Sequence, residues 1–262
     1  GKGGDDRYGF DEAGGTAWVL DGATDVSPLT PFKRAESGAA WIAETLSGQL
    51  IYGPKADESA PDYWTRVLTE TRVKAAKASS IPLDDLPLEA SPIAAGVWLR
   101  ASGSEIEFAS LGDCVALVDD SNGRIQTIGS PDKPEDEAVW ARELLGLSDD
   151  ERMEALRGHR RLQNTEGRWI FGLNPDAARH LETHTLTLKP GSDILLMSDG
   201  LYRLISPYKS HTPETLFALI REDGLLTAIR ALRALENSSD DNAKFGRIKT
   251  RDDACGLWLR VE

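Results

Sequence analysis

Three apolar segments of this chain each meet an aspartate at one end, and this pattern constrains the fold more than any other feature. "AWVLDG" ends on Asp21-Gly22, "ILLMSDG" ends on Asp199-Gly200, and "DDACGLWLRV" begins with Asp252-Asp253. The apolar runs have the length of buried strands. In an antiparallel sheet, the end of one strand lies beside the start of its neighbour. Strands of this kind can therefore place all of their carboxylates on one sheet edge.

Three further aspartates can reach the same edge. Asp113 lies in the turn of "SLGDCVALV", and Asp5 and Asp6 precede the first predicted strand. Converging carboxylates raise one another's pKa, so such a site either takes up protons or binds cations. Oxygen ligands without histidine or cysteine point to Mg²⁺ or Mn²⁺ rather than zinc. Taken singly, each aspartate also fits a turn, a solvated loop or a frayed terminus, and the joint pattern is what favours a metal site.

The rest of the chain predicts an α+β fold. Helical periodicity is found at residues 33–50, 62–78, 134–161, 213–221 and 225–236. Strand patterns are found at residues 16–20, 93–100, 105–112, 114–119, 124–129, 184–189, 193–198 and 255–261. This order indicates helices packed on antiparallel sheets. Nothing in it divides the chain, so we expect one domain spanning residues 1–262.

Composition excludes several classes of function. The 262 residues are 40% hydrophobic and 28% charged, which is enough apolar sequence for a sizeable core. A net charge of −13 argues against nucleic acid or an anionic membrane as a partner. No membrane span or secretory signal is readable. Cys114 and Cys255 form no spacing motif, so we expect no disulfide and a cytoplasmic location.

The motifs resemble those of a known family. "DDRYGF", "AWVLDGAT", "FASLGDCVALV", "ILLMSDGLYRLIS" and "DDACGLWLRV" occur in the order and approximate spacing of the PP2C-type Ser/Thr protein phosphatases, the PPM family. The resemblance covers essentially the whole chain, and "LLMSDGLYRLIS" is its most specific part. It implies a four-layer α-β-β-α sandwich, in which two central antiparallel sheets are flanked by helix pairs. It also implies a variable, flap-like region at residues 131–178, beside the active site.

The resemblance assigns roles to individual residues. Asp21 corresponds to the bridging metal ligand, and Gly22 to the ligand that coordinates through its carbonyl. Asp199 and Asp252 correspond to the two other aspartates of the dinuclear centre, so these two and Asp21 are the catalytic candidates. Asp113 corresponds to the acidic residue that helps to hold a weaker third metal in many bacterial members.

Two positions in the same motifs vary within the family. Asp5 occupies the place usually filled by glutamate in an acidic pair, and Asp6 completes that pair. Asp253 takes the place of the asparagine or aspartate that follows the last ligand. Because Asp5 is one methylene shorter than glutamate, we expect it to reach its metal through water.

The function implied by the resemblance is metal-dependent hydrolysis of phosphoserine and phosphothreonine on proteins. A water or hydroxide that bridges two Mn²⁺ or Mg²⁺ ions would attack phosphorus, and a third ion would bind more weakly. The partner is then a phosphorylated protein substrate, and a monomer is favoured. Two alternatives stay open, namely a pseudophosphatase that binds phosphoproteins and a phosphatase for small phosphate esters.

Several residues depart from the family pattern. Ala23 stands where many eukaryotic members carry a histidine that protonates the leaving group. Lys2 and Arg7 are the cations nearest to the acidic pair, which makes them weak candidates for phosphate binding, and Arg7 is the better fit to a structural role. The cluster "RGHRR" at residues 157–161 fits a solvated helix face, and guidance of an acidic substrate is the alternative. We predict surface or loop positions for the four histidines, and local core positions for Trp140, Trp169 and Phe171.

Overall fold

The computed structural model of the chain describes residues 4–131, 139–140, 143–144, 146–165, 167–238 and 251–262. The strands are β1 (Arg7–Asp11), β2 (Thr16–Gly22), β3 (Ala94–Ser102), β4 (Glu105–Leu111), β5 (Val115–Asp119), β6 (Ile125–Ile128), β7 (Glu182–Thr187), β8 (Asp193–Met197) and β9 (Gly256–Arg260). The helices are α1 (Gly38–Leu50), α2 (Ala60–Ala78), α3 (Asp149–Arg160), α4 (Asp199–Tyr202), α5 (Pro213–Asp223) and α6 (Leu225–Ser238). Short 3₁₀ turns lie at Leu83–Asp85, Leu88–Ala90 and Pro175–His180.

The strands form two antiparallel sheets. The first sheet has the order β1-β2-β3-β4-β7, and the second has the order β6-β5-β8-β9. Their inner faces pack together through small and branched side chains such as Val19, Val97, Ala116 and Leu196. Successive residues of a strand point to opposite faces, so the neighbours of these residues pack outward against helices.

The outer face of each sheet carries a helix pair. Trp18 and Trp98 of the first sheet pack against α1 and α2, and Leu117 and Leu195 of the second sheet pack against α5 and α6. The central strands are thus buried on both faces, which explains why they are continuous apolar runs in the sequence. The resulting four-layer α-β-β-α sandwich confirms the predicted fold class.

The register brings particular strand ends to one end of the sandwich. Gly22, at the end of β2, pairs with Ala94 at the start of β3. In the second sheet, Met197 at the end of β8 pairs with Gly256 at the start of β9. Met197 also pairs with Val115 at the start of β5, which follows directly from β4. The segments before, between and after these strands therefore meet at one end of both sheets.

The start of the chain differs from the sequence-based prediction in two ways, namely an additional strand and a later start of the first helix. The strand β1 was missed, and it pairs with β2 as a hairpin in which Arg7 faces Leu20. Helix α1 begins at Gly38 rather than at Lys33. The reason is that the hydroxyl of Ser37 accepts a hydrogen bond from the amide of Ala40 at 2.8 Å, which makes Ser37 the N-cap.

Part of the expected flap at residues 131–178 forms α3. Ser148 and Glu151 form a capping box at its start, and its first turn is acidic while its last turn is basic. That charge order suits the helix dipole, so it accounts for part of the basic cluster at residues 157–161. Residues 132–138, 141–142, 145 and 166 lie outside the described residues. The boundaries of the flap and the single-domain interpretation stay predictions.

The predicted aromatic core positions divide. Phe171 is fully buried and stacks on Trp64 with ring centroids 4.0 Å apart, which confirms its assignment. Trp169 is only partly buried, and its ring stacks on His180. Trp140 is likewise half-buried and lies against His159. Both free cysteines, Cys114 and Cys255, are buried.

A search of the described helices for a membrane-crossing segment finds none with the necessary length and apolar character.

A buried carboxylate ties the second sheet to α5. Asp193 is fully buried, and its two oxygens accept hydrogen bonds from Arg221 at 2.6 Å, Arg260 at 2.9 Å and Trp258 at 3.1 Å. Burial alone would raise the pKa of Asp193, but the hydrogen bonds from Arg260 and Arg221 outweigh it and lower the pKa. The folded state therefore favours the charged form of Asp193.

We expect Asp193→Ala to lower the free energy of unfolding by about 2–3 kcal/mol. This is less than the cost of breaking a fully buried ion pair, because Arg221 and Arg260 are partly exposed and can be hydrated. Urea denaturation at pH 7 measures the effect, with the exposed Asp84→Ala as the control. A lowered pKa stabilises the fold above the unfolded value of about 3.9, so the difference should shrink as the pH falls below about 4. An unchanged unfolding midpoint would contradict this role of Asp193.

Candidate metal centre

Aspartates from both sheets converge at one end of the sandwich. Asp21 lies inside β2 rather than after it, and Asp113 lies in the turn between β4 and β5. Asp199 is the first residue of α4, directly after β8 and the N-cap Ser198. Asp252 precedes β9. The antiparallel register therefore brings these residues, which are distant in sequence, to one place.

The electrostatics of Asp21 show how closely the carboxylates approach. Burial, above all, raises the pKa of Asp21 well above its usual value, and the negative charges of Asp199, Asp6 and Asp113 raise it further. A carboxylate in this position is costly unless protons or cations compensate for its charge.

Asp6 lies within the same cluster. Burial raises the pKa of Asp6 to about 7, and the charges of Asp253 and Asp199 add to this effect. A hydrogen bond from the hydroxyl of Ser198, at 2.8 Å, opposes it. The other oxygen of Asp6, Oδ1, is buried and has no hydrogen-bond partner among the residues that the structure describes.

Asp113 and Cys114 approach Asp21 from the turn between the sheets. One potential ligand atom from each of these three residues lies within 4.8 Å of the other two. Cys114 is fully buried, and burial above all raises the pKa of its thiol well above the usual value. The thiol therefore stays protonated at neutral pH and is a poor metal ligand.

Arg203 holds Asp252 and Asp199 at the other side of the cluster. Its Nη2 lies 3.0 Å from Oδ2 of Asp252 and 3.9 Å from Oδ2 of Asp199. The arginine side chain is 7% exposed, so its charge acts in a largely dry environment. Arg203 thus fixes the orientation of Asp252 and offsets part of the negative charge there.

The predicted ligand Asp5 is held differently from Asp6. Its Oδ1 accepts a hydrogen bond from the hydroxyl of Ser37 at 2.7 Å, and its amide donates to Oδ2 of Asp253 at 2.6 Å. Asp5 therefore joins the N-cap of α1 to the segment before β9. The charge of Asp6 is among the largest that act on Asp21.

Gly22 lies where the backbone of β2 approaches α1. A Cβ atom added at this position would lie 2.7 Å from the carbonyl oxygen of Ala39 and 3.0 Å from that of Asp5. Only glycine lets the three backbone segments approach so closely. The next residue, Ala23, donates its amide to the carbonyl of Ile93 at 3.0 Å, and its methyl group offers no proton for catalysis.

Helix α3 holds the loop that follows Gly22. Arg157 donates to the carbonyl of Val26, and Arg160 donates to the carbonyl of Thr24, both at 2.9 Å. The basic cluster at residues 157–161 is therefore more than a solvated face. Two of its arginines fix the backbone beside the carboxylates.

Of the two candidates for phosphate binding, Lys2 and Arg7, only Arg7 lies in the described part of the chain. Lys2 lies outside the described residues. Arg7 donates to Glu44 at 2.7 Å and to the carbonyl oxygens of Gly4 and Asp6, each at 2.7 Å. These contacts fit the structural role considered for Arg7, because they hold the segment that carries Asp5 and Asp6.

The residues present fit a site for hard divalent cations. The donors are carboxylate oxygens, one of which, Asp6 Oδ1, is buried without a hydrogen-bond partner in the described part of the chain. Mg²⁺ and Mn²⁺ prefer such oxygen ligands, and the nearby thiol is protonated. A cation would also remove the repulsion that raises the pKa of Asp21. The assignment of each aspartate as a ligand stays a prediction.

The structure is thus a four-layer sandwich with an acidic cluster at one end of both sheets. A sequence model of the protein phosphatase 2C family matches residues 1–232. The chain belongs to this family, which makes it a protein phosphatase by class. No curated protein matches its sequence.

Solved structures with the same fold include bacterial phosphatases. The serine/threonine phosphatase PstP of Mycobacterium tuberculosis aligns with a TM-score of 0.59 at 12% identity, over 100% of this chain and 93% of that one. The serine/threonine phosphatase of S. agalactiae aligns with a TM-score of 0.57 at 16% identity, over 99% and 94%. The catalytic domain of PstP in complex with two manganese ions aligns at 0.53 and 12% identity, over 98% and 90%. At these identities the likeness shows the fold alone.

Some members of the cluster were not singled out as site residues from the sequence. Asp6 was placed beside the site but not among the metal ligands, and Ser198, Cys114 and Arg203 were not considered. The signal for Asp6 was present, since it is the second residue of an acidic pair before a strand. Arg203 lies four residues after Asp199 on the same helical turn, and that spacing could have indicated an ion pair.

Proposed function

We propose that the chain hydrolyses phosphoserine and phosphothreonine in proteins with two divalent cations, Mn²⁺ or Mg²⁺, bound at the carboxylate cluster. The observation that carries this proposal is the burial of Asp6 and Asp21 beside Asp199, where burial and mutual repulsion make the charged carboxylates costly unless a proton or a cation is bound. The two manganese ions in the catalytic domain of PstP, a protein of the same fold, support the number of ions.

In this proposal, Asp21, Asp199, Asp252 and the carbonyl oxygen of Gly22 would hold the two cations, and Asp21 would be the ligand common to both. Asp5 contributes through water, and Asp113 helps to hold a weaker third ion. The structure adds Asp6 as a further candidate ligand. When bound, such cations would lower the pKa of a water so that it can act as a hydroxide nucleophile, and they would offset the charge on the phosphoryl oxygens.

The protein's own side chains keep the ligands in place. Ser198 donates to one oxygen of Asp6, which leaves the other oxygen available for a cation. Arg203 orients Asp252, and the clamp that Arg7 forms on the backbone holds the acidic pair. Ligands held by such outer contacts lose less freedom when the ions bind.

The two alternatives are weaker. A pseudophosphatase is not favoured, because the predicted aspartates are all present and the cluster fits cations. A preference for small phosphate esters would use the same chemistry, so only substrates can separate it from the proposal. We further propose a cytoplasmic location, because both thiols are free and buried, as is usual in a reducing compartment.

The test is hydrolysis of p-nitrophenyl phosphate with Mn²⁺ and with EDTA. We expect turnover only with the cation, and we expect Asp199→Asn to lower kcat/KM by more than about 100-fold, the upper end of the effect of outer residues at metal sites. The matched control is Asp84→Asn, a change of the same chemistry at an exposed residue. Turnover that persists in EDTA and in Asp199→Asn would refute the proposal.

The substrate class is tested with the same proteins. Phosphoserine and phosphothreonine peptides should be hydrolysed with a higher kcat/KM than small metabolite phosphates. The opposite order would favour the small-ester alternative while leaving the metal chemistry intact.

A further inference from the structure

A cavity of about 440 Å³ opens beside Asp113, on the side of the cluster that faces α3. It lies between the end of β4, the last turn of α3 and the loop around Trp169. Because Asp113 belongs to both the cluster and the cavity wall, the two sites adjoin each other. A spherical cavity of this volume is about 9 Å across, which accommodates roughly three residues of extended chain.

Cationic side chains dominate one wall of this cavity. Arg160 and Arg168 line it together with His159 and His180. Arg160 is committed to the carbonyl of Thr24. The exposed side chain of Arg168 forms no hydrogen bond or ion pair with any residue that the structure describes. The cavity lining as a whole carries two arginines and two carboxylates, so its formal charge is balanced in a protein whose net charge is −13.

Two acidic groups, Glu182 and Asp113, also face the cavity. Glu182 receives the hydroxyl of Ser130 at 2.9 Å, and Asp113 belongs to the metal cluster. Burial, followed by the charges of Arg168 and Arg160, lowers the pKa of His159, so this histidine is neutral at pH 7. Of the two arginines on the wall, Arg168 is the one whose guanidinium has no partner among the described residues.

An unsatisfied acceptor belongs to a residue of the cavity wall. Gln163 is 8% exposed, and its Nε2 donates to the carbonyl of Leu88 at 2.7 Å. Its Oε1 is buried and has no partner among the described residues. Leaving such a group unpaired costs as much as a lost hydrogen bond, so a donor from a ligand would be favoured here. A main-chain amide of a bound peptide is a donor of this kind.

The cavity also has a flat aromatic side. The rings of Trp169 and His180 stack at 3.5 Å and are nearly parallel, at 4°. An extended peptide can lie against such a surface while its polar groups reach Gln163 and Arg168.

We propose that this cavity binds an acidic side chain of the substrate protein, located within about three residues of the phosphorylated residue. Arg168 pairs with the carboxylate, and Gln163 accepts a main-chain amide. The inference rests on the proposed function, since the phosphate of the same chain occupies the carboxylate cluster. It makes Arg168 a specificity residue that does not touch the phosphate.

The test compares two phosphopeptides that differ only near the phosphoserine, one with aspartate and glutamate and the other with asparagine and glutamine. Wild-type protein should prefer the acidic peptide by about three- to tenfold in kcat/KM, as expected for a charge-assisted contact at a partly exposed site. Added salt should reduce this preference. Arg168→Gln should remove it, and Arg168→Glu should reverse it. Hydrolysis of p-nitrophenyl phosphate should be unchanged in both variants.

The matched control is Arg152→Gln, which changes the net charge equally and lies on α3 away from the cavity. A loss of preference in this control as large as in Arg168→Gln would overturn the proposal, because it would show an effect of overall charge. No preference in wild type would overturn it as well.

Fluorescence anisotropy of the labelled peptides separates this inference from the proposed function. Tighter binding of the acidic peptide through Arg168, without hydrolysis of any phosphoester, would refute the phosphatase activity and retain the cavity's role. If the acidic and neutral peptides were bound and hydrolysed equally well, the phosphatase activity would stand and the role of the cavity would be refuted.

Discussion

Asp21→Asn is expected to abolish metal-dependent hydrolysis while leaving the metal-free protein at least as stable as wild type. Asp21 is buried beside Asp199, Asp6 and Asp113, so its charge is costly without a cation. Asparagine fills nearly the same space and removes that charge. It also removes the proposed bridging ligand, and we expect kcat/KM to fall by more than about 100-fold.

Two measurements check this prediction together. Hydrolysis of p-nitrophenyl phosphate with Mn²⁺ reports activity, and thermal unfolding with and without Mn²⁺ reports stability. Relief of repulsion worth about 1 kcal/mol would raise the Tm of the metal-free variant by about 2–4 °C for a chain of this size. The stabilisation by Mn²⁺ should be largely lost in the variant and retained in Asp84→Asn. A variant with full activity, or one that unfolds well below wild type in EDTA, would contradict the role given to Asp21.

Gly200→Ala is expected to lower both activity and stability, because the added methyl group would displace the backbone of a neighbouring segment. A Cβ atom at residue 200 would overlap the carbonyl oxygen of Asp253, and it would lie 2.9 Å from the carbonyl carbon. Backbone atoms cannot move aside as the end of a flexible side chain can. The segment before β9 would therefore shift, and with it Asp252 and its contact with Arg203.

We expect this variant to lose most of its activity and about 1–3 kcal/mol of stability, the usual cost of overpacking. Activity, urea denaturation and the affinity for Mn²⁺ by calorimetry are the measurements. The control is Gly48→Ala, in α1, where an added Cβ meets no atom within 4 Å. That change should stabilise the protein by about 0.5–1 kcal/mol, because glycine is unfavourable inside a helix. If Gly200→Ala kept its activity and its stability as Gly48→Ala does, the close approach at residue 200 would not be needed for either property.

The central strands and the common edge of the aspartates could be predicted because they follow from local rules. Buried strands such as β2, β3 and β8 are apolar runs of the correct length, and antiparallel pairing fixes which ends meet. The helices α5 and α6 were predicted within two residues of their ends. Each of these features is specified by a continuous stretch of sequence.

Features that depend on distant contacts could not be predicted in this way. The strand β1 is only five residues long, its aromatic side chains Tyr8 and Phe10 are exposed, and Gly9 lies between them. The alternation of apolar and polar residues that identifies a half-buried strand is therefore weak in this segment. The start of α1 is set by Ser37 together with Asp5, which is remote in sequence. The contacts of Arg157 and Arg160 with the loop after Gly22 likewise join remote segments. A cluster of arginines in a sequence does not indicate which carbonyl oxygens will accept their hydrogen bonds.

The origin of the cluster in two sheets has a consequence for folding. Asp21 lies in the first sheet and Asp6 directly before it, whereas Asp252 precedes β9 of the second sheet and is held by Arg203. A partly folded chain in which the two sheets have not packed together carries the same acidic residues without assembling them at one place. Cation binding should therefore report the docking of the two sheets rather than the formation of either sheet alone.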